Sequence, residues 1–319
     1  MDFLANYGLF FLKSLTLVIC LLLLVAGIMA LSKKPRQKLQ IIPLNKAYDE
    51  LKQRLQKEIK NKKVKLSKAD KKALKSTDKP SLFLVDFHGD IKASQVEQLR
   101  EAVTAILAIA EEKDEVVIQL DSPGGVVNAY GFAASQLQRI RDKNIHLTVC
   151  IDKVAASGGY LMACLANQII AAPFAYIGSI GVVSQIPNFH RWLKKNDIDV
   201  ELITAGEYKR TLTLLGENTD KDRKKFKEDL EKIHQAFRNF VLKNRQQINI
   251  EEVATGEHWL AVDAYELKLV DQLKTSDDYI LEKLEQFNLF KIVVHHKESI
   301  AQKFFKPAMK LLSMEHSLP

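Results

Sequence analysis

The stretch EVVIQLDSPGG, residues 115–125, is the strongest indicator of the fold class. Its nearly continuous apolar run followed by a glycine turn is typical of a strand that is covered on both faces of a parallel sheet. HLTVCID at 146–152 repeats the pattern and leads into a second glycine turn, ASGGY at 156–160. Helical periodicity fills the segment before each of these strands, at 93–111 and 129–142. This alternation predicts an α/β fold with a mostly parallel sheet.

Apolar runs and amphipathic segments continue the alternation on both sides. We expect strands at SLFLVDF (81–87), NQIIAA (167–172) and VELIT (200–204), and a long helix at 220–245. Residues 154–190 carry no Asp, Glu, Lys or Arg, but Gly, Pro and polar residues interrupt this run too often for a lipid-facing helix. The uncharged stretch is therefore predicted to be buried core.

The N-terminal residues are predicted to anchor the chain in a membrane. Residues 14–31 are uncharged and apolar, and at about 1.5 Å per residue they are long enough for a bilayer core of about 30 Å. A cleaved signal peptide is the alternative. The almost uncharged start and the four basic residues within 33–38 favour a retained transmembrane helix. We assign residues 1–32 to this anchor.

The net charge of +8 belongs to the segment that follows the anchor. Residues 33–80 hold 17 Lys and Arg against 5 Asp and Glu, whereas the chain from Ser81 onward is mildly acidic. We predict a helix at 45–60 within a basic stalk, which is either solvated or held against anionic membrane lipid, where each nearby cation contributes about 1 kcal/mol. No nucleic-acid partner is expected, because no helix-turn-helix, zinc-finger spacing or aromatic-basic interleaving accompanies the charge.

The remaining chain divides into a body at 81–290 and a tail at 291–319. Residues 300–312 of the tail are amphipathic. Three roles stay open for them: packing on the body, lying in a membrane interface and mediating assembly.

Three cysteines, Cys20, Cys150 and Cys164, are too few for a disulfide scaffold. No spacing of His or Cys indicates a metal site.

The two glycine turns at strand ends are the candidates for chemistry. Ser157 lies at a strand-to-helix turn beside glycines, which suits a nucleophile whose neighbouring N–H groups stabilise an oxyanion. A serine that caps the helix is the alternative. None of the eight histidines stands out as a base for it. Lys209 follows VELIT, and a lysine that is desolvated enough to be neutral is another kind of base.

Four motifs, taken in order, give the chain a family resemblance. SPGG at 122–125, ASGGY at 156–160, GSIGV at 178–182 and GEYKRTLT at 206–213 resemble those of the signal peptide peptidase A family of membrane serine peptidases, above all its SohB branch. The resemblance runs from about residue 81 to residue 273. It implies a ClpP/crotonase-like spiral βα fold, preceded by one N-terminal transmembrane helix in a bacterial inner membrane.

The resemblance also implies roles for single residues. Ser157 is the nucleophile, Lys209 is the general base, and Ser179 orients the lysine amine. Oxyanion and substrate-backbone contacts come from three glycines: Gly158, Gly124 and, beside it, Gly125. Catalysis would pass through an acyl-enzyme on unstructured or membrane-derived peptides, without metal or cofactor. The implied assembly is a ring-like homo-oligomer in which neighbouring subunits can complete the dyad.

Two features depart from the family pattern. Lys268 stands where the family usually has Gly before Leu-Val-Asp, so a helix end that suits glycine carries a lysine. The basic residues within 33–38 argue for a body inside the cell, whereas the family implies the outside for some members, so the side of the membrane stays open.

Two other functions compete with peptidolysis. A crotonase-type acyl-CoA enzyme is one, although no Glu pair stands at the two glycine turns. A non-catalytic membrane scaffold, binding through the stalk and the long charged helix, is the other.

Overall fold

The computed structural model describes residues 7–21, 38–60 and 79–295. The chain forms two compact units, one of residues 41–293 and one of residues 1–40 with 294–319. Residues 7–21 of the predicted anchor are helical, and among the described residues no helix is both long and apolar enough to cross a membrane. The rest of the anchor, residues 61–78 of the stalk and residues 296–319 of the tail lie outside the described residues.

A seven-stranded sheet forms the core of the fold. Its strands are β1 (Lys38–Pro43), β2 (Ser81–His88), β3 (Glu115–Asp121), β4 (His146–Ile151), β6 (Gln168–Ala171), β9 (Gln272–Leu273) and β10 (Asn288–His295). They lie in the order β1-β10-β2-β3-β4-β6-β9, and every neighbouring pair from β10 to β9 is parallel. The predicted α/β architecture with a mostly parallel sheet is confirmed.

A second, three-stranded sheet carries the chemistry-bearing turns. It consists of β5 (Val154–Ala156), β7 (Tyr176–Gly178) and β8 (His258–Leu260), with β5 parallel and β8 antiparallel to β7. Ser122, just past β3, joins the two sheets, because its N–H donates to Val154 O (2.8 Å) and its carbonyl accepts from Ala156 N (3.0 Å). This bridge brings the SPGG turn beside the ASGGY turn.

Ten helices are present in the described ranges. Those before α7 are α1 (residues 7–21), α2 (Leu44–Lys60), α3 (Val96–Leu107), α4 (Val127–Arg141), α5 (Gly158–Ala163) and α6 (His190–Lys195). The others are α7 (Asp220–Asn244), α8 (Ile250–Val253), α9 (Ala261–Glu266) and α10 (Ser276–Lys283). A capping box between Thr219 and Asp222 fixes the start of α7. The helices predicted at 45–60 and 220–245 each agree with the structure to within one residue.

Burial follows the apolar runs of the sequence. Val116, Val117 and Ile118 of β3 are fully buried, as expected for a strand covered on both faces. Ala155, Tyr160, Ile169 and Ile177 are also inaccessible to solvent, so residues 154–180 contribute to the core, although Phe174 and Tyr176 are exposed. The prediction of buried core for the whole of 154–190 is wrong beyond residue 182, because most of residues 183–189 are exposed.

The strand predicted at 200–204 is not formed. From residue 198 to residue 219 the chain has neither helix nor strand, and residues 198–210 are all exposed. A strand needs a free sheet edge to pair with. Both edges of β7, the strand that precedes this segment in the chain, are already occupied by β5 and β8, so VELIT cannot pair with that strand. The apolar residues of VELIT lie on the surface.

Candidate active site

Ser157 joins β5 to α5 through a backbone conformation that L-residues rarely adopt, with φ 51° and ψ −117°. Its N–H donates to the Gly178 carbonyl oxygen across 2.8 Å. The side chain is half-buried and makes no capping hydrogen bond to α5, so the helix-capping interpretation is wrong. The turn is thus strained and held by neighbouring backbone, and its hydroxyl does not cap the helix. This combination is typical of a serine nucleophile.

Gly124 lies directly against this serine. It has φ 88°, and a Cβ built on it would lie 2.8 Å from Ser157 Cβ, from the Gly158 nitrogen and from the Ala156 carbonyl oxygen. No side chain fits in that space. The SPGG turn therefore approaches Ser157 this closely because residue 124 is glycine.

The backbone N–H groups beside Ser157 differ in whether they already donate a hydrogen bond. Gly124 N–H donates to Ser122 Oγ (3.2 Å). Gly158 supplies the first amide of α5, which has no intrahelical acceptor. Within the described ranges, neither Gly158 N–H nor Gly125 N–H donates to any protein acceptor. These two amides have no protein acceptor in the described part of the chain, whereas Gly124 provides the close approach.

A buried hydroxyl network fixes the SPGG turn on α4. Tyr130 OH donates to the Asp90 carbonyl oxygen (2.8 Å) and lies 2.6 Å from Ser122 Oγ. Because the tyrosine proton is used on Asp90, the serine hydroxyl donates to the tyrosine oxygen. Burial raises the pKa of Tyr130 above its ordinary value, which keeps the phenol protonated. The turn beside Ser157 therefore rests on a rigid polar support.

Ser179 lies on the neighbouring turn, directly after β7. It is half-buried, has φ 52°, and its N–H donates to the Glu257 carbonyl oxygen (2.5 Å). The preceding Gly178 has φ 106° and accepts the hydrogen bond from Ser157. The structure thus brings Ser179 to the same site as Ser157.

Lys209 lies in the exposed segment between α6 and α7. Its backbone N–H closes a turn onto Gly206 O (3.2 Å), and no ion pair or hydrogen bond of its amine occurs in the described part of the chain. The two preceding residues are tied to the first turns of α7. Glu207 pairs with Lys221 at 2.8 Å, and the Lys225 amine lies 5.3 Å from the centre of the Tyr208 ring.

The same helix contacts the Ser179 turn from a later position. His234 Nε2 lies 3.2 Å from the Ile180 carbonyl oxygen. From Lys225 or Lys221 to His234 the helix rises about 14 to 20 Å, at about 1.5 Å per residue. The contacts described above join the Ser157 turn to Gly124 and to the Gly178–Ser179 turn, and in the described part of the chain none of them involves Lys209. Gly158 and Gly125 are the chain neighbours of Ser157 and Gly124.

Several residues around the site were not singled out from the sequence. Tyr130, Glu257 and His234 hold the turns through contacts between distant segments, which no local motif marks. The sequence could have indicated that His234 faces the body, because it lies four residues after Leu230 and three before Phe237 on the half-buried stripe of α7. His88 lies 3.7 Å from Asp121 and is mostly exposed. Among the described residues no three His, Cys, Asp or Glu side chains are grouped so as to hold a metal ion.

Comparison with known proteins agrees with this geometry. Residues 2–137 match the family model for the peptidase family S49 N-terminal region, and residues 139–289 match that for peptidase family S49. The chain belongs to peptidase family S49. As an S49 member it is a serine peptidase, as predicted.

Two S49 relatives match nearly the whole chain. "Probable protease SohB" of Haemophilus influenzae is 45% identical over 331 residues, which cover 96% of this chain and 93% of the relative. "Probable protease SohB" of Buchnera aphidicola subsp. Schlechtendalia chinensis is 47% identical over 305 residues, which cover 89% of this chain and 100% of the relative. The predicted resemblance to the SohB branch is confirmed.

A solved structure is also similar to this S49 chain. It is a serine-to-alanine mutant of the "1510-N membrane-bound stomatin-specific protease", at 18% identity and a TM-score of 0.40, covering 64% of this chain and 84% of the other.

Proposed function

We propose that this S49 peptidase is a membrane-anchored endopeptidase with a Ser157/Lys209 dyad on a ClpP/crotonase-like body. The observation that carries the proposal is the Ser157 turn, where a strained φ of 51° is combined with a hydroxyl that caps no helix. Strain of this kind costs about 1–3 kcal/mol and is found mainly at functional sites. A structural serine at this helix start would adopt an ordinary extended conformation and cap the helix.

The reaction is acyl transfer. Ser157 Oγ attacks the carbonyl carbon of a peptide, and neutral Lys209 Nζ takes the hydroxyl proton. The amides of Gly158 and Gly125 donate to the carbonyl oxygen as it becomes negatively charged. Collapse of the tetrahedral intermediate breaks the C–N bond, and the lysine proton passes to the leaving amine. Water then attacks the acyl-enzyme, with Lys209 again accepting a proton, and frees the acid and Ser157.

Lys209 is proposed to come from a neighbouring subunit. A lysine acts as a base at neutral pH only when desolvation lowers its pKa, and Lys209 is exposed within one chain. Its loop is tied to the start of α7, whereas the Ser179 turn contacts a later part of that helix. A second copy that packs on this loop would both desolvate the amine and bring it to Ser157. Ser179 then orients the amine through its hydroxyl.

Unstructured or membrane-derived polypeptides are the proposed substrates, as the family resemblance implies. An extended backbone leaves its carbonyl groups open to attack by Ser157. The uncharged run at 14–31 and the basic residues after it support attachment to a membrane and contact with its lipid.

The first experiment is reaction of the detergent-solubilised protein with a serine-directed fluorophosphonate, read by intact mass. We expect one adduct that disappears in Ser157→Ala and in Lys209→Ala, and that persists in Lys227→Ala, a lysine exposed on α7. Absence of any adduct in folded, assembled protein would favour the non-catalytic scaffold instead.

The second experiment tests the origin of the lysine. Ser157→Ala and Lys209→Ala chains, each inactive alone, are co-expressed with different tags, and mixed oligomers are isolated through both tags. We expect peptidase activity to return in the mixed oligomers, because some sites combine an intact serine with the intact lysine of a neighbour. Persistent inactivity of mixed oligomers, with active wild-type assemblies beside them, would place both residues of the dyad in one chain.

A further inference from the structure

The turn that carries Ser179 is strained and depends on outside support. Gly178 and Ser179 both have positive φ, at 106° and 52°. A serine in the left-handed region costs about 1 kcal/mol or more, so the surrounding structure must hold this conformation in place. The supports on the backbone are a hydrogen bond from Ser157 N–H to Gly178 O and one from Ser179 N–H to Glu257 O.

α7 supplies a third support for the turn. His234 Nε2 lies 3.2 Å from the carbonyl oxygen of Ile180, the residue after Ser179. A carbonyl oxygen only accepts, so the imidazole donates from Nε2. Ile180 is fully buried, which removes water as a competing donor for its carbonyl. His234 is thus the one side chain among the described residues that forms a hydrogen bond with the 178–181 backbone.

Two close contacts leave the turn little other freedom. A Cβ built on Gly178 would lie 2.7 Å from the Trp259 ring, and one on Gly181 would lie 3.0 Å from Gly256 Cα. The far side of the turn therefore packs against the 256–259 segment. Loss of the His234 hydrogen bond would free the Ile180 peptide, and rotation of that peptide moves Ser179.

We propose that His234 is a positioning residue of the active site, which holds the Ser179 turn through the Ile180 carbonyl. It touches neither substrate nor the reacting atoms. This role rests on the proposed function, because it matters for catalysis only if Ser179 and Ser157 form the site. A displacement of a fraction of an ångström at such a site lowers the rate of reaction, since reacting groups must be aligned.

The test compares His234→Gln with His234→Met. Both side chains have the same length and are unbranched, but only glutamine places an N–H donor where Nε2 lies. We expect the second-order rate of fluorophosphonate labelling at Ser157 to fall by about tenfold in His234→Met and to recover to within about threefold of wild type in His234→Gln. Peptidase kcat should follow the labelling rate, with KM nearly unchanged. Gln235→Ala, the adjacent exposed position on α7, is the control and should match wild type.

Hydrogen exchange provides a readout that does not depend on catalysis. In His234→Met the amides of residues 179–181 should exchange faster, while those of β6 keep wild-type protection. Labelling and exchange equal to wild type in His234→Met would overturn the proposal. So would a defect that glutamine fails to restore, including one caused by global unfolding. The remaining outcome is faster exchange of residues 179–181 in His234→Met together with no adduct at Ser157 of the wild-type protein. In that case the proposed function fails and the support of the turn by His234 stands.

Discussion

The amide of Ser157 donates to the carbonyl of Gly178 across 2.8 Å, and this bond ties two strained turns to each other. Ser157, Gly178 and Ser179 all have positive φ, at 51°, 106° and 52°. Each turn lies at the end of a strand of the small sheet, β5 or β7. The proposed nucleophile and the residue proposed to orient its base are therefore fixed by one sheet, and their relative position does not depend on long side chains.

Relief of strain at Ser157 should stabilise the protein as it abolishes activity. Ser157→Gly and Ser157→Ala both remove the hydroxyl, but only glycine adopts φ 51°, ψ −117° without penalty. We expect Ser157→Gly to exceed Ser157→Ala in free energy of unfolding by about 1–2 kcal/mol, measured by urea denaturation. Equal stabilities would mean that the turn is not strained.

Gly124→Ala should disrupt the site, because its Cβ would meet three atoms at 2.8 Å. We expect a loss of about 1–3 kcal/mol in stability and a fall of more than about a hundredfold in labelling of Ser157. Gly131→Ala on α4 is the matched control. A Cβ there meets nothing within 4 Å, so it should stabilise the helix by about 0.5–1 kcal/mol. Wild-type stability and labelling in Gly124→Ala would contradict the close approach of Gly124 to Ser157.

Alkaline pH should destabilise the fold. Burial raises the pKa values of Cys150, Cys164, Tyr160 and Tyr279 above their ordinary range, so the native state keeps these protons when the unfolded chain has lost them. Their contribution is fully present below the unfolded pKa values, about 8.5 for Cys and 10 for Tyr, and is lost as pH rises toward the folded values. Each group contributes a slope of at most about 1.4 kcal/mol per pH unit.

Urea denaturation between pH 8 and pH 11 measures this loss. Cys164→Ala should reduce the slope above about pH 8.5, whereas replacement of the exposed Cys20 should leave it unchanged. A free energy of unfolding that is independent of pH over this range would show that the buried thiols and phenols lose their protons in the native state as readily as in the unfolded chain.

Lys268→Gly should stabilise the protein. Lys268 ends α9 with φ 61°, the left-handed conformation that glycine adopts readily, and its carbonyl accepts from Arg245 Nη2 (2.8 Å). We expect a gain of about 0.5–1 kcal/mol, seen as a higher Tm, with no change in activity. Lys268→Ala keeps the backbone penalty and should give no such gain. A gain from alanine equal to that from glycine would assign the effect to the lost charge.

Most strands and helices of the body follow from local sequence. Runs such as VVIQL at 116–120 are buried on both faces of a parallel sheet whichever neighbours they find, so their apolar composition is a local property. The stripe of α7 and its capping box are likewise set within a few residues. The motif SGG at 157–159 predicts a nucleophile turn from local sequence as well, because it is a serine followed by glycines at a strand end.

Which segments meet is known only from the folded chain. The Ser122 bridge between two sheets, the Ser157 bond to Gly178 and the His234 bond to Ile180 join residues 33, 21 and 54 positions apart, and no periodicity encodes such pairings. VELIT at 200–204 has the composition of a strand but pairs with neither sheet and is exposed. Lys209 lies in an exposed segment without helix or strand. The position of its side chain is set by the packing of that segment and not by its neighbours in sequence.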